Sequence, residues 1–304
     1  MSANTRSRGL SVPSWAQHRS NAKNDLHLSP SGLYTYPSED AGPVLGTSCM
    51  LADYVDKMAN WEIACPDQAE ALTIKFIPAA APMLLIHYRG TPFTSTWQFG
   101  SRGFSQPEYH HFATMYQTGV VVSRPRGPVG VIGIRLRPET AASLLGERMQ
   151  YFLDARIGLD DLFGTRRVSL LVEMLAEART SAERFACVET FLAANLRERR
   201  GNPVACRAAG LLRQSPQLRI GSLAARLDVS ERHLSRTFQG MFGMSPKQFA
   251  RVARIESAWS VRSQGASWAD VAYAARFTDQ AHMINDFTEI VGVPPAQLVR
   301  PLRS

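Results

Sequence analysis

Arg232, Ser235, Arg236 and Gln239 recur at intervals of three and four residues, so in a helix they share one face. Guanidinium, hydroxyl and amide groups are the donors and acceptors that read base edges in a DNA major groove. A solvated helix face is the plainer reading of the same pattern. A second set, Gln280, Ala281, Ile284, Asn285 and Thr288, repeats the spacing further on, with Asp286 and Glu289 beside it. That face is less basic and partly apolar, so it should hold phosphate less well. Between the two sets Lys247, Arg251 and Arg254 offer cations that can meet phosphates.

Other chemistry is thinner. His87, His110 and Glu108 are the set from which a two-His-one-carboxylate metal site can be assembled, although no H-x-H pair supports it and scattered polar residues explain them as well. Cys49, Cys65, Cys187 and Cys206 are too far apart for a zinc pair and read as reduced thiols of a cytoplasmic protein. Such isolation also argues against a cysteine that accepts a methyl group from damaged DNA. Trp97, Phe99, Phe104, Tyr109 and Tyr116 fit an apolar pocket or an ordinary core equally well. Neither a Gly-rich phosphate loop, a G-x-S-x-G elbow nor an H-E-x-x-H pair occurs, so no catalytic residue, metal or cofactor is assigned and the chain reads as a non-enzyme.

The elements that must position the two polar faces come as a repeat. Ile220, Leu223, Ala224 and Leu227 are matched 48 residues later by Trp268, Val271, Ala272 and Ala275. Leu234, Phe238, Met241 and Phe242 are matched 49 residues later by Met283, Phe287, Ile290 and Val291. Gly243-Met244-Ser245-Pro246 and Gly292-Val293-Pro294-Pro295 end the two units. Each unit therefore predicts helix, tight turn, helix. Asp228 and Val229 make the first turn, with Ser230 as N-cap; Phe277 and Thr278 make the second, with Asp279 as N-cap. Ser267 with Asp270 is a capping-box pattern that Arg219 does not reproduce. Residues 247–263 predict one connecting helix of about 25 Å, long enough to hold two reading helices near the ~34 Å spacing of successive major-groove turns.

Upstream the pattern differs. Strands are predicted at 72–77, 83–88, 96–99, 119–122 and 129–137, between Pro- and Gly-rich turns, as in a small antiparallel barrel or sandwich. Pro138–Leu145 predicts a short helix, and residues 166–178 and 182–199 predict two amphipathic helices. The stripe of Phe185, Val188, Phe191, Leu192 and Leu196 either packs on the barrel or forms a dimer contact. The organisation expected is a flexible tail over 1–45, a barrel over 46–165, a helical dimerisation or linker segment over 166–202, and a helical domain over 203–304. From Gly201 to Ser304 there are thirteen Lys and Arg against seven Asp and Glu, whereas the first two hundred residues have 21 against 19, so the polyanion partner belongs to the C-terminal part. No run of eighteen apolar residues occurs and the N-terminus has no apolar h-region, so neither a membrane span nor a secretory signal is expected.

The doubled unit resembles the DNA-binding domain of the AraC/XylS regulators over about residues 203–302. The resemblance is carried by Leu223-Ala224, Ser230, His233-Leu234-Ser235-Arg236-Thr237-Phe238, Phe242-Gly243, Ser245-Pro246, Phe277, Asp279-Gln280, Phe287 and Gly292-Val293-Pro294-Pro295. It implies base-reading positions at Arg232, Ser235 and Arg236 in the first unit and at Gln280, Ala281 and Asn285 in the second. Ala281 has no side-chain donor, and Asn285 stands where a basic residue is common. Residues of about 45–165 are similar to the cupin-like barrel that many such regulators carry, through Arg124-Pro125-Arg126-Gly127-Pro128 and Gly133-Ile134-Arg135-Leu136-Arg137-Pro138. The implied fold is α+β: a small antiparallel β-barrel with a helical appendix, then an all-α domain with two helix-turn-helix units. The implied protein is a cytoplasmic, sequence-specific activator of transcription. Its partners would be double-stranded DNA, RNA polymerase, a small-molecule effector and a second copy of the chain. The competing readings are a cupin-type metalloenzyme or a nonspecific nucleic-acid binder fused to a helix-turn-helix anchor.

Overall fold

A computed structural model describes residues 27–28, 35–36, 44–46, 50–71, 74–90, 94–99, 102–105, 109–115, 118–146, 149–197 and 201–298. The expected tail over 1–45 falls mostly outside these residues; within it β1 (His27–Leu28) pairs antiparallel with β2 (Thr35–Tyr36). The chain continues through β3 (Val44–Gly46), β4 (Val55–Ile63), α1 (Pro66–Ala71), β5 (Ile74–Phe76), β6 (Met83–Gly90), β7 (Thr94–Phe99), β8 (Arg102–Ser105), β9 (His111–Thr114), β10 (Val120–Arg124) and β11 (Val129–Leu136). Then come α2 (Ala142–Leu145), a 3-10 turn (Met149–Phe152), β12 (Arg156–Gly158), α3 (Leu159–Phe163), α4 (Thr165–Glu177) and α5 (Ser181–Ala194). The rest is helical: α6 (Pro203–Gln214), α7 (Ile220–Arg226), α8 (Glu231–Phe242), α9 (Pro246–Ser263), α10 (Trp268–Ala274), α11 (Gln280–Val291) and α12 (Pro295–Leu298).

The antiparallel N-terminal architecture is present, but the expected barrel is two open sheets. One has six strands in the order β12-β9-β6-β11-β4-β3, the other four in the order β5-β10-β7-β8, and among the described residues no strand pairing joins them. The physical reason is a large sheet with work on both faces. Ala59, Trp61, Leu85, Phe112 and Val131 face Ile74, Phe76 and Val121 of the smaller sheet. Met58, Leu84, Ile86, Ile132 and Ile134 point the opposite way, into a core shared with the helices. All eight residues of β11 are buried, the signature of a strand covered on both sides.

Strand β4 is not apparent in the sequence pattern. Val55, Met58, Ala59 and Glu62 stand at helical intervals, and three charged residues interrupt the run, yet it is the nine-residue partner of β11 and β3. Strands β8, β9 and β12 were likewise not expected. The helix predicted from Pro138 begins four residues late, after a turn, and stops at Gly146 with φ 96°. Helix α5 ends at Ala194 rather than Arg199.

The α4–α5 pair packs on the large sheet. Val168, Leu171 and Leu175 of α4 and Val188 and Leu192 of α5 are buried there. Arg184, only 2% exposed, donates to both Glu62 oxygens at 2.9 and 3.3 Å and to the carbonyls of Leu175 and Ala178, and its guanidinium lies over the Tyr88 ring. Packing of this pair on the sheet is therefore observed. On the other face of α4 an apolar pair stays open, Leu170 at 57% and Met174 at 40% exposed.

The core is continuous from sheet to C-terminal helices. At that junction Arg135 of β11 binds Asp56 of β4 at 3.0 Å and Glu256 of α9, while Arg213 of α6 binds Asp56 at 3.1 Å and Glu139 at 3.0 Å. Burial alone would raise the Asp56 carboxyl, but the Arg135 and Arg213 guanidinium groups outweigh it and hold its pKa below the usual carboxylate value. Removing one member of such a buried network leaves its partner charged and unsolvated, at a cost of about 3–5 kcal/mol. The backbone N–H of Gly119 also donates to the carbonyl of Ile290, so α11 is docked at its C-terminal end, away from its cap.

Candidate nucleic-acid interface

Two helix-turn-helix units, α7–α8 and α10–α11, are carried by the one long helix α9. The tight turns have matching geometry: Asp228 (φ 54°) and, 48 residues on, Arg276 (φ 60°) take the left-handed conformation. Asp tolerates that region better than most residues; Arg has to be held there by its surroundings. The caps are as expected. Ser230 Oγ accepts from His233 N–H at 3.2 Å and Asp279 Oδ1 from His282 N–H at 2.7 Å. Gly243 (φ 71°) and Gly292 (φ 85°) close the second helices, where a side chain would be strained. Ser245 caps α9, with Pro246 in its first turn. Ser267 caps α10 through the Asp270 N–H, but its hydroxyl donates to the Asp270 carboxylate at 2.6 Å, which replaces the reciprocal half of a capping box. Arg219 provides no side-chain cap for α7.

Packing then orients the polar faces. Helix α8 buries Leu234, Phe238, Met241 and Phe242, and the rings of Phe238 and Phe242 pack against Phe249 of α9. Consequently Arg232, Ser235, Arg236 and Gln239 are all exposed on the opposite face. Gln239 also donates to the carbonyl of Gly243 at 2.6 Å. Helix α11 buries Met283, Asp286, Phe287, Ile290 and Val291, leaving Gln280, Ala281, Ile284, Asn285 and Thr288 exposed. Both faces are open to a ligand as large as a duplex.

The three cations on or near α9 differ. Lys247 is exposed. Arg251 is engaged by α11: Nε and Nη2 donate to Asp286 Oδ1 at 3.1 and 2.7 Å, and Nη1 and Nη2 donate to Glu289 at 3.0 and 2.6 Å. These hydrogen bonds, first those to Glu289, hold Arg251 charged well above its ordinary range and hold the Glu289 carboxyl below its own. Arg254 stacks over the Phe277 ring at 5.3 Å and lies 4.0 Å from Asp286 Oδ2; His282 lies 3.9 Å from the same oxygen. Between the units this cluster lines a cleft of 620 Å³ that also takes in Arg219 and Lys247. Sequence reading missed the Arg251 engagement, because its partners lie 35 and 38 residues away. A signal was present: Asp286 breaks an otherwise apolar buried stripe.

The other candidate sets do not converge. The His87 ring nitrogen Nδ1 meets the His110 carbonyl at 2.6 Å, and burial pushes the His87 pKa down to about 4. Glu108 lies outside the described residues, and among the described residues no three His, Cys, Asp or Glu side chains gather as metal ligands. Trp97 is half-buried, its Nε1–H bonded to the Thr118 carbonyl, while Phe99 and Tyr109 are exposed; the Phe104 side chain and Tyr116 lie outside the described set. Trp97 thus packs on the core between the two sheets, whereas Phe99 and Tyr109 lie at the surface. Cys65, Cys187 and Cys206 are free thiols, and burial pushes Cys206 up to about 11, which makes it a poor nucleophile; Cys49 is outside the described residues.

A family model described as a helix-turn-helix domain matches residues 223–300. The chain therefore carries a helix-turn-helix domain of the AraC type toward its C-terminal end. Among solved structures it is similar to the C-terminal domain of AraT, a response regulator from Geobacillus stearothermophilus, at 25% identity over 34% of this chain and 89% of that one, with a TM-score of 0.32. It is also similar to ToxT from Vibrio cholerae, at 11% identity over 80% of this chain and 97% of that one, with a TM-score of 0.47. A third similarity is to the C-terminal domain of the response regulator yesN from Fusobacterium nucleatum, at 21% identity over 31% and 95% of the two chains, with a TM-score of 0.29. No curated protein matches. No helix among the described residues is long and apolar enough to cross a membrane.

Proposed function

We propose that this protein is a sequence-specific regulator that reads promoter DNA chiefly with α8. The observation that carries the proposal is the exposed quartet Arg232, Ser235, Arg236 and Gln239, held on one face of a capped helix whose other face is buried. Arg232 and Arg236 supply bidentate donors suited to guanine. Ser235 and Gln239 add adaptable polar contacts, and Lys247 adds a phosphate contact at the start of α9. Helix α11, with Gln280, Ala281 and Asn285, lies over the neighbouring segment with weaker base selectivity. Residues 203–304 form the DNA-binding domain, 46–165 a sensor that takes a small-molecule effector, and 166–202 the segment that joins them and offers the exposed face of α4 to a second copy. The protein acts in the cytoplasm, with RNA polymerase as its downstream partner, and catalyses no reaction.

The test is binding of the full chain to DNA upstream of its own gene, with excess nonspecific duplex at physiological salt. A retained, footprinted complex is expected. Arg232→Ala should weaken it by about 1–3 kcal/mol if that side chain reads a guanine. Complete displacement by random duplex, or an Arg232→Ala protein that binds as well as the parent, contradicts the proposal.

A further inference from the structure

Arg251 lies on the DNA-facing domain and has the chemistry of a phosphate contact, but its guanidinium is already spent. Four of its five N–H groups are used on Asp286 and Glu289, two residues three apart on α11. Two residues before Arg251 on α9, Phe249 packs on Phe238 and Phe242 and so ties the same stretch of that helix to the first unit. Arg251 therefore connects a helix fixed to unit one with the reading helix of unit two. It also supplies the hydrogen-bonded cation for two carboxylates that face a polyanion, Asp286 having Arg254 only at 4.0 Å. The equivalent positions in unit one are Thr237 and Gly240, which carry no charge, so this bridge is peculiar to the second unit.

We propose that Arg251 is a positioning residue: through Asp286 and Glu289 it sets the direction of α11 relative to α8, and so the spacing of the two DNA segments the protein grips at once, without itself contacting a phosphate. This rests on the DNA-reading proposal above. An Arg that touches phosphate releases a counterion on binding, whereas one that only aligns a helix does not, so the salt dependence of affinity separates the two roles.

The experiment uses the full chain and two duplexes: the footprinted operator, and the same duplex cut short so that the α11 segment is absent. Arg251→Gln should lose about tenfold on the complete operator, equivalent to 1.4 kcal/mol. It should leave binding to the shortened duplex unchanged, keep the slope of log affinity against log salt, and shorten the footprint on the complete operator to the α8 side. Arg251→Lys, which still offers a cation to one carboxylate, should recover part of the loss. Glu289→Gln is a second probe that spares the core, since Glu289 is 68% exposed. It should also weaken complete-operator binding, whereas a gain would mean that a freed Arg251 meets DNA and would overturn the inference. So would a slope reduced by about one with equal loss on both duplexes, or no loss on either. A wild-type chain that holds operator and random duplex alike overturns the DNA-reading proposal and this inference with it; a wild-type footprint that Arg251→Gln leaves intact overturns this inference alone.

Discussion

Helices α8 and α11 occupy equivalent places 49 residues apart, and they differ mainly on the open face and at one buried position, where Asp286 stands for Thr237. Their apolar buried positions correspond in kind: Leu234 with Met283, Phe238 with Phe287, Met241 with Ile290, Phe242 with Val291. Their ends correspond as well, in an oxygen-bearing N-cap and a left-handed glycine. On the open face Arg232 is matched by Ala281, Ser235 by Ile284, Arg236 by Asn285 and Gln239 by Thr288. Across residues 220–243 three Arg stand with Asp228 and Glu231; across 268–292 Arg276 alone stands with Asp270, Asp279, Asp286 and Glu289. Fold and recognition are thus separable in one molecule: the apolar periodicity and the caps specify the unit, and only the outward residues decide what it can hold. The second unit keeps the same shape but, with four carboxylates to one Arg, is suited to a weaker hold on a phosphate backbone, and Arg251 offsets part of that charge from within.

The comparison can be broken first at its shared part. Phe238→Ala and Phe287→Ala should each destabilise the chain by about 3–5 kcal/mol, to a similar extent, in thermal or denaturant unfolding; a large inequality would show that the two cores are not equivalent. Next comes the part that differs. Arg232→Ala and Arg236→Ala should each cost about 1–3 kcal/mol of operator affinity, while Gln280→Ala and Asn285→Ala should change it by less than about 0.5 kcal/mol, measured by titration of labelled duplex. Equal losses in both units would erase the asymmetry. Ser230→Ala and Asp279→Ala should each remove about 1 kcal/mol of stability, because each deletes one acceptor for a first-turn N–H; the measurement is the shift of the unfolding midpoint. The smallest change sharpens the contrast: Ala281→Arg should restore a cation to α11, steepen the salt dependence by about one unit of slope and raise affinity for random duplex, with stability nearly unchanged.

The helical domain was legible in the sequence because its determinants are local. Periods of three and four, an oxygen-bearing residue before each second helix and a glycine after it predict α7, α8, α10 and α11 closely. The left-handed residue of the second turn, Arg276, is less obvious, since a long side chain carries no turn signature, but its distance from Asp228 repeats the period. The sheets were less legible. In β4 the spacing of Val55, Met58 and Ala59 imitates a helix, because a strand buried on both faces has no alternation to show. Whether two sheets close into a barrel depends on edge pairings between strands far apart in sequence, and nothing in any single strand records that. The same limit applies to side chains joined across the fold. Arg135 reaches Glu256, and Arg251 reaches Asp286 and Glu289, by tertiary placement alone.

The central claim, a two-unit regulator in which the first unit reads bases and the second mainly grips, is tested most directly by substituting every base pair of the footprinted operator in turn and measuring competition by each duplex against the parent sequence with the full chain. The account predicts penalties of about 1–3 kcal/mol per mismatch concentrated in the segment under α8, and near-uniform tolerance in the segment under α11. Penalties of equal size in both segments, or in the α11 segment alone, would contradict it.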